Sequence, residues 1–147
     1  MKKRVRLFEL SEGATLPEIK KLVIQDNINL YAEVSKDFNP IHIDADFARK
    51  TPAGGTIAHG MMILAYVSQM MTVAFGRNWL FGSGLSVRFR TPARPGDTIT
   101  VSGKIRRVEE YEGRNLITCD IICRNQNGDP VITGEAKLKA GSNENSC

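Results

Sequence analysis

The sequence predicts an α+β domain in which a curved antiparallel β-sheet wraps around one long central helix. Residues 58–75 are apolar on nearly every side of a helix, which is typical of a helix buried in a core. Four later segments alternate apolar and polar residues, as strands with one buried face do. Turn-forming sequences separate these segments. This order of elements favours a sheet that folds over the helix.

The four predicted strands lie at residues 85–90, 98–108, 115–124 and 131–139. The sequences RPGD, EYEGR and NQNGD supply the turns. NQNGD is the strongest hairpin signal, because its Asn127-Gly128 pair tolerates positive φ. A sheet of this kind leaves an edge strand, which a second copy of the chain could cover.

Shorter elements are predicted before the long helix. Residues 20–24 form a short strand, and Asp26 caps the N-terminus of a following helix. Pro40 restricts the residue before it and is expected to end any helix at that point. Asp44 or Asp46 could begin a further short helix.

Length and composition fit one globular domain. The chain has 147 residues, of which 41% are hydrophobic and 24% charged. We predict one domain at residues 1–140 and a polar C-terminal tail at residues 141–147. The sequence has neither the features of a secretory signal nor an apolar run long enough for a bilayer. We therefore expect a cytoplasmic protein without membrane contact.

The net charge of +4 suits an anionic ligand. It does not indicate nucleic-acid binding, because the Lys and Arg residues are scattered along the chain. We expect no nucleic-acid partner.

The cysteines are expected to be reduced thiols, because their number is odd and no secretory signal accompanies them. Cys119 and Cys123 are four residues apart on a predicted strand, about 13 Å, so they can neither form a disulfide nor share a metal. With Ile121 they point to one face, which favours core packing. Because the chain has only two histidines, we expect no metal site.

Asp37 and His42 are the first candidates for chemistry. They flank a turn stiffened by Pro40. A carboxylate and an imidazole held across one water can take a proton from it and deliver one nearby. The alternative is that Asp37 caps a local turn while His42 is a polar surface residue.

Gly60 is the second candidate, in the sequence AHGMM at residues 58–62. It falls in the first turn of the long helix, where backbone N–H groups lack intrahelical partners and the helix dipole favours negative charge. A thioester carbonyl could dock there and gain charge as an enolate forms. The alternative is a glycine needed for close packing of helix against strand.

The residues between Leu30 and Met71 resemble a known family. The sequences SKDFNPIH and AHGMM stand in order there, and the similarity continues into LSVRFRTPARPGDTITVSGKI. This pattern closely resembles the MaoC-like (R)-specific enoyl-CoA hydratases, which carry Asp-x-Asn-Pro-x-His followed by a His-Gly-Met helix start. The resemblance implies a hot-dog fold, a homodimer, and reversible syn hydration of trans-2-enoyl-CoA to (R)-3-hydroxyacyl-CoA.

The resemblance also implies roles for particular residues. Asp37 and His42 are expected to hold the catalytic water as an acid/base pair, and the N–H of Gly60 is expected to bind the thioester carbonyl. Ser68 matches a helix serine that supports the pair by hydrogen bonding. Asn39 matches the motif asparagine, which is expected to steady the turn.

Lys36 and His59 directly precede Asp37 and Gly60. The family has glycine where this chain has Lys36, and lysine is disfavoured if the backbone there needs positive φ. His59 corresponds to a residue better interpreted as shaping the loop than as catalytic.

Coenzyme A enters as part of the acyl-CoA substrate, so no separate cofactor is expected. Arg88, Arg90 and Arg94 are candidates for its phosphates, the alternative being an exposed charged strand face. Two other functions stay open. One is a hot-dog acyl-CoA thioesterase. The other is a dehydratase subunit active only with a partner or on acyl carrier protein substrates.

Overall fold

A computed structural model describes residues 10–141 of the chain. Its helices and strands, in chain order, are β1 (Ile19–Leu22), α1 (Gln25–Ser35), α2 (Pro40–Ile43), α3 (Ala45–Arg49), α4 (Gly60–Phe75), α5 (Arg77–Leu80), β2 (Gly84–Phe89), β3 (Thr98–Tyr111), β4 (Arg114–Arg124) and β5 (Pro130–Gly141). Of the predicted tail, only Gly141 is among the described residues. It ends β5 and pairs with Arg114, so the strand runs one residue beyond the predicted domain limit. The rest of the tail, Cys147 and the basic start of the chain lie outside the described residues.

The five strands form one open antiparallel sheet in the order β1-β3-β4-β5-β2. Helix α4 packs across one face of this sheet and contacts β1, β3 and β5. A long helix held against a curved antiparallel sheet is the hot-dog fold, and the predicted α+β class is confirmed.

Alternation along the strands explains why α4 lies on this face. The inward positions of β3, β4 and β5 are apolar, and one stripe of α4 meets them. The buried side chains on the two sides are Ile99, Val101, Ile105, Ile117, Ile132 and Leu138 from the sheet and Met62, Ile63, Val67, Met70 and Met71 from the helix. Each such side chain contributes about 1.5–3 kcal/mol when it leaves water.

The predicted hairpins are present. Gly128 has φ 81° in the turn between β4 and β5, as the Asn-Gly signal requires. The β3–β4 turn places Glu112 and Gly113 at positive φ, 50° and 73°.

Cys119 and Cys123 both lie in the core, as predicted. Burial raises the pKa of each thiol to about 12, with the carboxylate of Asp120 as a second cause for Cys119. Both therefore stay protonated at neutral pH and pack as small apolar groups.

One local prediction is wrong: Asp26 does not cap the first helix, because α1 begins at Gln25 without a side-chain cap and Asp26 lies in its first turn. The chain before Pro40 is as predicted, since α1 ends at Ser35 and Asn39 has a non-helical ψ of 125°. Pro40 itself begins α2, a helix that was not predicted. The first helical position tolerates proline, because an N–H there would have no intrahelical partner and the fixed φ of proline already suits a helix. The short helix α5 was not predicted, since four residues carry no measurable periodicity.

Helix α4 is not buried on every side. The sheet covers one stripe, and Met61 and Val73 on the opposite side are 58% and 46% exposed. Ala65 and Gln69 are exposed on the same side. An apolar helix surface therefore faces outwards in the single chain.

Within residues 10–141, no helix is both long enough and apolar enough to cross a membrane.

Candidate active site

The turn that carries Asp37 begins where α1 ends. Lys36 is the C-cap of α1 and has φ 65° and ψ 19°, the left-handed conformation. Many helices end this way, usually with glycine. The backbone N–H of Asp37 then donates to Ser35 Oγ at 3.2 Å. The motif position held by Lys36 therefore does require positive φ.

Asp37 closes its own turn with one oxygen. Its Oδ1 accepts the backbone N–H of Asn39 at 3.2 Å, and Asn39 Oδ1 accepts the N–H of Ile41 at 3.2 Å to cap α2. Between residues 10 and 141, no hydrogen-bond partner is recorded for Oδ2 of Asp37. Asp37 thus caps a turn and still presents a carboxylate oxygen for chemistry, so the two interpretations of this residue are compatible.

His42 is fixed by its Nδ1 atom, which lies 2.8 Å from the carbonyl oxygen of Ile57. A carbonyl only accepts, so Nδ1 carries the proton and the neutral ring keeps Nε2 as an acceptor. The backbone is tied as well. Ile57 N–H donates to Ile41 O at 3.2 Å, and the Gln25 side-chain amide donates to His42 O at 2.8 Å.

The carboxylate of Asp37 and the imidazoles of His42 and His59 converge. One carboxylate oxygen and one nitrogen of each ring all lie within 4.8 Å of one another. One water can span that separation, since two hydrogen bonds of about 2.8 Å together reach 5.6 Å. A carboxylate and an imidazole held around one water can act together as acid and base.

Two histidines and a carboxylate are also a donor set that metal sites use. However, Nδ1 of His42 and Nε2 of His59 already donate to carbonyl oxygens. The two rings stack with centroids 3.8 Å apart and an interplanar angle of 26°. The nitrogen lone pairs of two stacked rings lie in nearly parallel planes and do not converge on one point. A metal ion would need both lone pairs to point at it from about 2.1 Å. The absence of a metal site stays a prediction.

Gly60 begins α4, with His59 as N-cap. The first helical N–H groups that find a partner are those of Met62 and Ile63, which both donate to His59 O. In the described part of the chain, no hydrogen bond is recorded for the N–H of Gly60, as expected at a helix start. A Cβ on Gly60 would lie 2.9 and 3.0 Å from two ring carbons of Phe89. A larger residue here would therefore have to displace the Phe89 ring, so close packing favours glycine.

A pocket of about 220 Å³ joins His42 to Gly60. Its walls are mainly apolar, and the remaining lining residues are Ile57, Ala58, Ile63, Phe89, Arg90, Thr91, Pro92, Ala93 and Val131. The segment before α4 is held to this wall by the Ala58 N–H, which donates to Ala93 O at 2.8 Å. The pocket thus places an imidazole and a free helix N–H beside an apolar cavity.

Comparison with known proteins gives the family. A family model described as the MaoC like domain matches residues 8–122. The chain belongs to the MaoC-like family.

Curated relatives of this MaoC-like chain have similar lengths. A 3-hydroxybutyryl-CoA dehydratase from Methylorubrum extorquens is 30% identical, over 96% of this chain and 88% of the relative. An (R)-specific enoyl-CoA hydratase from Rhodospirillum rubrum is 28% identical, over 88% of each. The solved structure of the R-hydratase PhaJ1 from Pseudomonas aeruginosa superposes with a TM-score of 0.78 and 29% identity, covering 92% of this chain and 84% of that one.

Ser68 has a different hydrogen-bond partner from the predicted one. Its hydroxyl oxygen accepts the indole N–H of Trp79 at 2.9 Å. Among residues 10–141, no hydrogen bond from Ser68 to Asp37 or His42 is recorded. Ser68 lies two turns along α4 from Gly60, so in the single MaoC-like chain it ties α4 to α5.

The three arginines do not form one group. Arg88 and Arg90 share one face of the sheet, as predicted, but it is the outer face, because Val87 and Phe89 take the inward positions. Arg90 donates to Thr133 Oγ1 at 3.1 Å and also lines the pocket. Arg88 lines only a trough on the outer face, away from His42. Arg94 lies in the loop before β3, beside Gly55.

Two residues that hold the MaoC-like site together, Gln25 and Thr56, were not predicted from the sequence. Gln25 bonds the carbonyl of His42, and Thr56 Oγ1 donates to Gln25 Oε1 at 2.8 Å. No sequence signal points to a glutamine that bonds a backbone carbonyl seventeen residues away. His59 was predicted only to shape the loop, whereas its ring stacks on that of His42.

The conformation of Lys36 gives a stability prediction. Lys36→Gly should raise the free energy of unfolding by about 0.5–1 kcal/mol. Removing the left-handed strain stabilises the folded state by roughly 1–2 kcal/mol, and the greater chain entropy of glycine in the unfolded state offsets part of this. Urea unfolding would measure the change. Lys36→Ala removes the same charge but keeps a Cβ, so an equal gain in both variants would assign the effect to charge.

Proposed function

We propose that this MaoC-like chain is a hydro-lyase that adds water reversibly to trans-2-enoyl-CoA thioesters and forms (R)-3-hydroxyacyl-CoA. The observation that carries the proposal is the approach of Asp37 and His42 to within 4.8 Å, beside the pocket that reaches Gly60. This separation suits one shared water, and the pocket suits the acyl thioester.

In the proposed reaction, the water lies between the Asp37 carboxylate and the acceptor nitrogen of His42. The pair takes one proton from the water while the water oxygen bonds to C3 of the enoyl group. The double-bond electrons move towards the thioester carbonyl and form an enolate. The pair then returns one proton to C2, so H and OH are added in total.

Gly60 stabilises the enolate in this scheme. Its N–H opens onto the pocket at the positive end of α4, where developing negative charge on the carbonyl oxygen is favoured. The donor is in place before the reaction begins, so no reorganisation is needed at the moment when charge develops.

Gly60→Ala should lower kcat by about 10²–10³, the usual effect of losing one such donor, because the methyl group covers the N–H. The methyl group would also press on Phe89. The double variant Gly60→Ala/Phe89→Leu makes room for it, and Phe89→Leu alone is the matched control. Stability restored without the rate supports the donor role. A restored rate would leave glycine with the packing role only.

The pocket supports a short acyl group. About 220 Å³ lies below the roughly 300–1,000 Å³ of ordinary ligand sites, and the apolar lining includes Ile63, Phe89 and Val131. The dehydratase relative named for 3-hydroxybutyryl-CoA is in keeping with a four-carbon group. The (R) configuration is proposed from the name of the hydratase relative.

Of the three arginines, we place Arg90 and Arg94 at the phosphates of coenzyme A. Arg90 lies where the pocket meets the outer face of the sheet. Arg90→Gln should raise KM for the CoA thioester roughly three- to tenfold and leave kcat unchanged, because an exposed charge-assisted hydrogen bond is lost. Arg88→Gln, two residues away on the same face, is the control. Equal effects in both variants, or a flat response to added salt, would indicate general surface charge instead.

We also propose a homodimer. The outward side of α4 and the edge strand β2 both present exposed apolar side chains, among them Met61 and Val73 on the helix and Phe89 on the strand. Pairing two copies would cover both the edge and the apolar surface. Light scattering of the purified chain at several concentrations should give twice the chain mass. A monomer at all concentrations would contradict this part of the proposal.

Hydration of crotonyl-CoA by the purified chain tests the function. We expect loss of the enoyl-thioester ultraviolet absorbance and formation of (R)-3-hydroxybutyryl-CoA, identified by chiral chromatography. Release of free coenzyme A thiol would favour the thioesterase alternative. Activity that appears only with acyl carrier protein substrates, or only with an added partner subunit, would favour the dehydratase-subunit alternative.

A further inference from the structure

His59 is the most deeply buried polar side chain near the proposed catalytic pair. It is 2% exposed and is the N-cap residue of α4. Its side chain does not cap the helix but turns towards the Asp37 turn. Polar rings are rarely buried without bonds that fix them, so its contacts indicate what it does.

The first contact is a hydrogen bond to the Asp37 backbone. His59 Nε2 lies 3.0 Å from the carbonyl oxygen of Asp37, so Nε2 carries the proton. Within residues 10–141 its other nitrogen, Nδ1, is buried without a hydrogen-bond partner. The imidazole therefore makes one hydrogen bond, and that bond ties it to the residue whose carboxylate is proposed to contact the water.

The second contact is with the ring of His42. The two imidazoles stack at 3.8 Å, and the ring of Tyr31 lies 4.8 Å from His59 on a tilted plane. The stack limits rotation of His42 about its side-chain bonds. It thereby supports the hydrogen bond from Nδ1 to Ile57 O that leaves Nε2 as an acceptor.

We propose that His59 is a positioning residue that aligns both members of the pair, Asp37 through its N–H and His42 through its ring. The inference rests on the proposed function, since it assigns a role within that same site. His59 itself does not exchange a proton with substrate. It joins the start of α4, where Gly60 lies, to the turn that carries the carboxylate and the imidazole.

Three variants separate the two links. His59→Gln keeps an amide N–H near the position of Nε2 but removes the ring. His59→Phe keeps a ring for stacking but removes the donor, and His59→Ala removes both. Val67→Ala is the control for simple loss of stability, because Val67 is fully buried on the same helix and belongs to the core.

We expect kcat to fall about 10- to 100-fold in the Gln and Phe variants and further in the Ala variant, with KM changed little. The reason is that misaligned groups still bind substrate but meet the reacting atoms in the wrong geometry. Val67→Ala should lower the melting temperature and leave kcat per folded molecule unchanged. Wild-type kcat in folded Gln and Phe variants would overturn the proposal.

Nitrogen NMR of the imidazoles tests the alignment without any turnover. Because the chain has only two histidines, each His59 variant leaves His42 as the single histidine signal. At about pH 8, where an ordinary imidazole is neutral, His42 should be the Nδ1–H tautomer in the wild type and in His59→Phe. In His59→Gln and His59→Ala it should become a tautomer mixture.

The NMR and activity measurements test the role of His59 and the proposed function independently. Unchanged His42 tautomers in all variants would overturn the ring's part in positioning, whatever the activity. If instead the wild type hydrates no enoyl thioester, the proposed function fails, and the NMR result still decides whether His59 orients His42.

Discussion

Asp37→Asn should lower kcat for crotonyl-CoA hydration by about 10²–10⁴ while the protein stays folded. Asparagine is nearly the same size, and its side-chain oxygen can still accept the N–H of Asn39 that Oδ1 accepts now. The turn should therefore survive. What is lost is a carboxylate able to take and return a proton beside the water. Steady-state rates measured beside circular dichroism would separate activity from folding.

A matched control is Asp26→Asn. Asp26 is an exposed carboxylate in the first turn of α1 and does not belong to the cluster of Asp37, His42 and His59. It carries the same change of charge at a site without proposed chemistry, so its kcat should equal that of the wild type. Comparable rates in the two variants would remove Asp37 from the mechanism.

His42→Asn is expected to have an effect of the same size, about 10²–10⁴ in kcat. Asparagine can place an amide N–H near the position of Nδ1 and so keep the bond to Ile57 O. It has nothing at the position of Nε2, which is the atom left free for the water. The substitution therefore removes the acceptor and retains the anchor.

The double variant Asp37→Asn/His42→Asn tests whether the two residues act as one unit. If they share a water, the double variant should be little slower than either single variant, since the unit is already broken. If the two losses of kcat multiply in the double variant, the two residues contribute independently. A folded His42→Asn protein with wild-type turnover would contradict the shared-water mechanism.

Patterns of alternation and turn residues were enough to predict the meander of β3, β4 and β5 and the long helix α4. These features are local, because each strand carries its own buried face and each turn its own glycine. The burial of α4 was overestimated for the same reason. Sequence periodicity describes an apolar surface, but it does not say whether the same chain or another molecule covers it.

For the candidate site, the motifs predicted which residues meet but not how they are held. The approach of Asp37 to His42 follows from a short turn. The stacking of His59 on His42 depends on how α2 meets the start of α4, and the bond from Gln25 to the His42 carbonyl depends on how α1 packs against α2. Strand alternation predicts that Arg88 and Arg90 share the outer face, but it does not predict that only Arg90 also reaches the pocket.

The position of β2 in the sheet has a consequence for synthesis of the chain. Within residues 10–141, Phe89 and its neighbours in β2 pair only with β5, which is synthesised after β3 and β4. Strand β2 must therefore wait while β3 and β4 emerge and pair with each other as sequence neighbours. Until β5 arrives, one wall of the pocket is an unpaired apolar strand, the kind of segment that chaperones protect during folding. The strand that forms one wall of the pocket is thus also the one most exposed to aggregation before β5 has been synthesised.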